Sequence, residues 1–193
     1  MATHDAGSQT LTHTVNEEML DDVLTSLWPQ HSCQGTADRV LRMWSEMTVG
    51  YGMNPATILS KQFDEHGTDE LIVCSGIPFT SLCEHHLMPF TGVAAVGYLP
   101  SNGSVVGLSK LARLVDCYAQ RLQLQERMTR QIAEAMILYL DPQATGVVIR
   151  AEHSCLSCRG AKKVGARFTT SAMLGRLRTD DKMRAEFFAI ING

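Results

Sequence analysis

Apolar residues recur at helical spacing from Val15 to Trp28, at Met19, Leu20, Val23, Leu24 and Leu27, and Pro29 ends the pattern. A second helix is predicted from Thr36 to Val49, with Val40, Leu41, Met43, Trp44 and Met47 as its apolar positions. Tyr51–Pro55 reads as a loop, with a short helix after it. The pattern then changes. Glu70–Phe79 (ELIVCSGIPF) and Pro89–Leu99 (PFTGVAAVGYL) read as strands flanking a polar cluster, Thr80–Met88. Pro100–Gly103 is a turn signal before the short apolar run Val105–Val106. Leu108, Leu111, Val115, Tyr118 and Leu122 mark one face of a helix. Leu124, Met128, Ile132, Ala135, Met136 and Tyr139 mark another, closed by Asp141-Pro142. Val147–Ala151 and Arg167–Ser171 read as strands, and Asp180–Ile191 as a terminal helix.

Helices, two strands, two helices, two strands and a helix make an α+β order rather than alternating βαβ units. No internal repeat or interdomain linker interrupts it. We therefore expect a mobile arm over 1–12 and a single domain over 13–193, mainly helical over 13–65 and sheet-bearing over 66–193.

The 193 residues, 45% of them hydrophobic, suffice for one well-buried core. A formal net charge of -3 offers no global positive field, so no nucleic-acid partner is expected. No apolar stretch reaches the ~20 residues of a membrane-spanning helix, so no membrane association is expected either. Met1 to Gln9 carry neither a basic cluster nor an apolar core, so no secretory signal is expected. Six cysteines in a long chain of this kind fit thiols in a reducing cytoplasm better than a disulfide framework.

Two clusters concentrate the chemistry. Cys83-Glu84-His85-His86 places thiolate and imidazole, the ligands zinc prefers, within chelating distance along the chain. His153-Ser154-Cys155, with Cys158 beyond, follows about seventy positions later at the end of a predicted strand, where His153 and Cys155 would share a face. A third ligand from this cluster, added to Cys83 and His86, leaves a fourth position open for water, as in a catalytic site. The pair Cys155 and Cys158 could instead close a structural site with Cys83 and His86, and spacing alone leaves both readings open. Cys33, Cys74 and Cys117 read as ordinary buried thiols, and His4, His13, His31 and His66 as solvated. Ser109, Lys110 and Arg113 open a predicted helix after Gly107, a place that favours an anion. Arg159, Lys162 and Lys163 follow Cys158. Taken singly, these cations read as a solvated polar face, and Glu126 with Arg130 as an ordinary helix pair.

The stretches SLCEHHLMPFTGVAAVGYLP, GLSKLARLVDCYAQRLQLQERMTRQIAEAM and AEHSCLSCRG resemble the GTP cyclohydrolase I family, in register from about Gly35 to Ile191. The resemblance implies the tunnelling fold (T-fold): an antiparallel four-stranded sheet, two helices inserted between its second and third strands, and N-terminal helices. It implies hydrolysis of GTP at C8 of the guanine ring, releasing formate and forming 7,8-dihydroneopterin triphosphate. It further implies a homodecamer with sites at subunit interfaces.

Residue by residue, the resemblance makes Cys83, His86 and Cys155 the ligands of a Zn2+ ion, and His85 and His153 the catalytic histidines beside it. Gln125 and Glu126 match the pair that reads the guanine edge. Ser109, Lys110, Arg113 and Arg159 match triphosphate contacts, and Arg39 an arginine contributed by a neighbouring subunit. Ala37 stands where the family usually has proline, and Cys158 where most relatives have another residue. Two other roles remain: a nitrile reductase of the same fold, using a thiol and NADPH without zinc, or a binding protein with a closed zinc site.

Overall fold

The computed structural model describes residues 17–31, 33–65, 67–101 and 103–193. The arm expected over 1–12, and His4, His13 and His66, lie outside them. The chain divides into two compact units, the first extending to Glu46 and the second beginning at Met47. The N-terminal unit contains α1 (Glu17–Leu27) and most of α2 (Thr36–Met47), close to the helices predicted by periodicity.

In the second unit, α3 (Pro55–Leu59) starts where Asn54 accepts a hydrogen bond from the Ala56 amide at 2.9 Å, with proline at the first helical position. Strands β1 (Gln62–Asp64), β2 (Ile72–Cys83), β3 (Met88–Leu99) and β4 (Ser104–Val106) follow, then α4 (Leu108–Ala119), β5 (Leu122–Gln123) and α5 (Gln125–Leu140). The chain continues through β6 (Ala144–His153), α6 (Ser154–Ser157), β7 (Arg167–Gly175), α7 (Arg176–Thr179) and α8 (Asp181–Asn192). Asp180 caps α8 by accepting from the Lys182 and Met183 amides, each at 3.1 Å.

The main sheet runs β5-β2-β3-β6-β7. Its four long strands pair antiparallel, and β5 adds two residues parallel to β2. With α4 and α5 inserted between the second and third long strands, this is the expected T-fold arrangement. One face of the sheet packs Phe79, Phe90, Val96, Val147 and Ile149 against Leu111 and Leu114 of α4 and Met128, Ile132 and Met136 of α5. The alternate residue Val148 faces a second cluster with Leu177 and Phe187. Burial on both faces explains why the β6 segment reads as a continuous apolar run rather than an alternating one. A Cβ on Gly146 would lie 3.1 Å from both Phe187 and Leu177, so glycine there lets α8 pack close to the sheet.

The hairpin at the predicted polar cluster is tighter than the sequence suggested. Thr80–Cys83 belong to β2, pairing with Thr91 through Met88, and only four residues form the turn. Leu87 takes a left-handed φ of 53°, and its amide donates to the Cys83 carbonyl at 2.8 Å. Among the described residues, no helix is long and apolar enough to cross a membrane.

Candidate active site

Cys83 ends β2, and the tight turn behind it presents His85 and His86 to solvent. His153 ends β6 through its pairing with Phe90. The sequence expectation that His153 and Cys155 share one face of a strand does not hold. The strand stops at His153, and Cys155 lies on the four-residue helix α6, where the Cys158 amide donates to the Ser154 carbonyl at 3.0 Å. Helical curvature, not strand alternation, brings the two side chains together.

Donor atoms of Cys83, His153 and Cys155 all lie within 4.8 Å of one another. Two sulfurs and one imidazole form a donor set that suits zinc. His86 lies outside this group and is exposed. Cys158 is exposed as well, and outside the group. All six cysteines are free thiols. Burial raises the pKa of the Cys155 thiol, the neighbouring Cys83 thiol raises it further, and Arg159 opposes both. Arg159 is therefore close enough to act on Cys155 electrostatically.

His153 lies flat on Phe90, ring centroids 4.5 Å apart and planes 2° from parallel, with Phe168 edge-on at 5.9 Å. Burial depresses its basicity, and the Glu126 carboxylate pulls the other way. A cavity of about 240 Å³ collects Cys83, His85, Gln125, Glu126, His153 and Cys155. Gln125 and Glu126 reach it because α5 begins there, and a carboxylate in the first turn suits the helix dipole.

Apart from Arg159, the cations predicted to contact the triphosphate are placed elsewhere. Lys110 and Arg113 line a different cavity, of about 390 Å³, with Gly52, Asn54 and Thr57, and Ser109 is exposed on the same helical turn. The two cavities share no lining residue. Arg39 belongs to the N-terminal unit, where its guanidinium donates to Thr36 Oγ1 at 2.9 Å. A larger cavity, about 580 Å³, opens on the sheet around Thr80, Val93, Arg150 and Arg167 and contains none of the predicted site residues.

Sequence reasoning missed two features. Arg127 forms a two-point ion pair with Glu84, tying the start of α5 to the turn after Cys83. Both residues sit inside the quoted motifs, but nothing in their spacing of 43 positions announces contact. The way Gln125, a predicted site residue, is held is the second feature. Its side chain is 1% exposed and hydrogen-bonded at both ends of the amide.

Residues 14–192 match a family model described as GTP cyclohydrolase I. A protein of Nitrosospira multiformis named GTP cyclohydrolase 1 is 50% identical over 173 residues, covering 87% of this chain and 90% of that one. Another of that name, from Thermoanaerobacter pseudethanolicus, is 46% identical over 174 residues, covering 89% and 92%. Among solved structures, the archaeosine synthase QueF-Like in the apo form matches with a TM-score of 0.46 and 19% identity, covering 55% of this chain and 94% of that one.

Proposed function

The chain belongs to the GTP cyclohydrolase I family, and from that premise we propose a zinc-dependent enzyme that opens the guanine ring of GTP at C8. The observation that carries the reading is the gathering of Cys83, His153 and Cys155 at a cavity that Glu126 and His85 also line. A closed zinc module calls for no acidic side chain at the mouth of such a group, and a thiol-and-NADPH reductase calls for no second thiol and imidazole gathered with its nucleophile.

In this reading Cys83 and Cys155 hold the ion with two thiolates, and His86, on the same turn as Cys83, provides the third ligand. The proximity of His153 to both sulfurs favours one specific second reading, in which His153 takes the third place instead. When bound, zinc supplies a Lewis acid that makes water a nucleophile at neutral pH.

The chain's own residues do the rest. Glu126 accepts from the N1–H and 2-amino group of guanine, a donor pair that fits one carboxylate. That contact turns C8 toward His153 and His85 and fixes the orientation. Water adds at C8, and a histidine delivers a proton to the ring nitrogen whose bond to C8 breaks. A second water releases C8 as formate. The ribose ring then opens and rearranges, and the freed amine condenses with it, expelling one water to give 7,8-dihydroneopterin triphosphate. Burial lowers the basicity of His153, which favours the neutral imidazole that can take a proton before returning it.

Arg159, Lys110, Arg113, Ser109 and Arg39 are proposed to hold the triphosphate. Lys110 and Arg113 line a cavity of their own, which supports a site completed between copies of the chain in a ring such as a decamer. Free thiols at all six cysteines suit a cytoplasmic enzyme.

The test is incubation with GTP while formate and the oxidised, fluorescent pterin are measured, with and without a chelator. Formate and pterin in equal amounts, lost on chelation and restored by zinc, are expected. Zinc-loaded protein that releases neither would sink the proposal.

A further inference from the structure

We infer that Gln125 is a positioning residue, which fixes the ring of His153 and its tautomer, rather than a residue whose side chain reads the base. The inference rests on the reading of His153 as the proton-transfer group beside the metal.

The argument begins with which end of the Gln125 amide faces which neighbour. Its nitrogen lies 3.1 Å from the Ile149 carbonyl of β6 and 3.0 Å from the Phe168 carbonyl of β7. Carbonyls only accept, so the NH₂ end must point at them. The third neighbour, Thr170 Oγ1 at 3.1 Å, is a hydroxyl, whose role depends on where its own proton goes. Thr129 Oγ1 gives its proton to the Gln125 backbone carbonyl at 2.7 Å. The 2.7 Å contact between the two threonine hydroxyls is therefore donated by Thr170, whose oxygen remains free to accept from Gln125.

The two carbonyls take the amide's two hydrogens, with Thr170 Oγ1 sharing one of them, and flipping the amide would set its oxygen against two carbonyl oxygens. Gln125 Oε1 is left facing His153 Nε2 at 2.9 Å, and the hydrogen bond requires that nitrogen to carry the proton. Neutral His153 then has Nδ1 as its bare nitrogen. In an imidazole, the bond made by one nitrogen decides the chemistry of the other.

Phe90 stacking fixes the ring plane, and Gln125 fixes the rotation within it. Both polar atoms of this buried side chain are already engaged by the protein, whereas the carboxylate of exposed Glu126 next to it is open to a base.

The experiment has two arms on the zinc-loaded enzyme. Neutron diffraction near pH 8 is expected to place a deuteron on His153 Nε2, aimed at Gln125 Oε1; a bare Nε2 overturns the inference. This arm needs no substitution, so it decides the matter even if a variant folds poorly. In the second arm, Gln125→Met keeps the length and removes the bonds. Its kcat is expected to fall roughly 10–100-fold with the KM for GTP within about twofold. A raised KM with unchanged kcat would return Gln125 to base recognition, and no change in either would also overturn the proposal. If wild-type enzyme releases no formate from GTP, the functional reading fails while the neutron result still judges the tautomer.

Discussion

Arg127 grips the carboxylate of Glu84 with both terminal nitrogens, Nη2 reaching Oε1 at 2.8 Å. Two parallel charge-assisted bonds hold an orientation as well as a distance. The contact locks the turn carrying His85 and His86 onto the helical turn carrying Gln125 and Glu126. Because both partners are partly exposed, its consequence should be geometric more than energetic. Arg127→Met is expected to leave thermal stability at neutral pH nearly unchanged while kcat/KM drops about tenfold and zinc is lost to chelators faster. Arg127→Lys, with one point of contact instead of two, should fall between.

The same pair has a pH signature. The hydrogen bond from Arg127 holds the Glu84 carboxyl below its ordinary value of 4.5. A depressed carboxyl contributes stability that is fully present above the unfolded value and lost as pH falls through the folded one. Whatever small stability gap separates wild type from Arg127→Met should therefore close below about pH 4.5. Paired denaturant titrations at neutral and acid pH measure it.

The identity of the third zinc ligand separates two geometries. If His86 binds the ion, His86→Ala loses zinc and turnover together, while His153→Ala keeps zinc and loses turnover. If His153 binds instead, the metal contents reverse. Cys83→Ser and Cys155→Ser should lose zinc in either case. Burial and the adjacent Cys83 keep the Cys155 thiol protonated to higher pH, so metal binding must expel a proton. Zinc affinity measured by chelator competition should accordingly weaken as pH is lowered.

The gathering at the cavity was partly legible because thiols and imidazoles are rare and clustered: Cys83 and His85 in one stretch, His153 and Cys155 in another. The order of strands and helices could also be read from the pattern of apolar residues, while the antiparallel sheet with its two inserted helices comes from the family resemblance. The exact partnership of side chains was not legible. Cys155 looked like a strand residue because nothing in HSCLSC marks the switch to helix after His153. Gln125 is placed at the guanine edge by the family resemblance alone, with no signal of its own in the sequence. Only the three-dimensional packing of β6 and β7 shows its amide turned inward. Likewise β5 was missed, since two residues paired with Leu82 and Cys83 carry no periodic signal.

Gly92 lies opposite Ala151 in the β3–β6 ladder, two residues from the Phe90–His153 pair. A Cβ there would sit 2.1 Å from the Arg150 carbonyl and 2.7 Å from Ala151 Cα, both backbone atoms. Gly92→Ala must push the two strands apart, at a cost of about 1–3 kcal/mol typical of overpacking. The stack of Phe90 on His153 should loosen with it. A lowered Tm together with reduced turnover is expected; a variant with both unchanged would show that the ladder can absorb the side chain.

Glu126→Gln tests base recognition with minimal change of shape. The amide can still accept one hydrogen bond but presents an NH₂ where the second guanine donor arrives. Loss of a charged acceptor and a donor facing a donor should reduce kcat/KM for GTP about 10²-fold or more. Inosine triphosphate, which lacks the 2-amino group, should suffer less from the change than GTP. Equal losses on both substrates would remove Glu126 from the guanine edge.

The separation of Lys110 and Arg113 from the Cys83 cavity can be turned into a mixing experiment. Suppose each working site takes its thiolates from one copy and Lys110 from another. Cys83→Ser and Lys110→Ala are then each inactive as pure assemblies. Unfolding, mixing in equal amounts and reassembling gives rings in which a site has even odds of an intact Cys83 and even odds of an intact Lys110. About a quarter of wild-type activity should return, from two proteins that have none alone. If Lys110 instead serves the cavity of its own chain, every site carries one defect or the other, and mixing restores nothing.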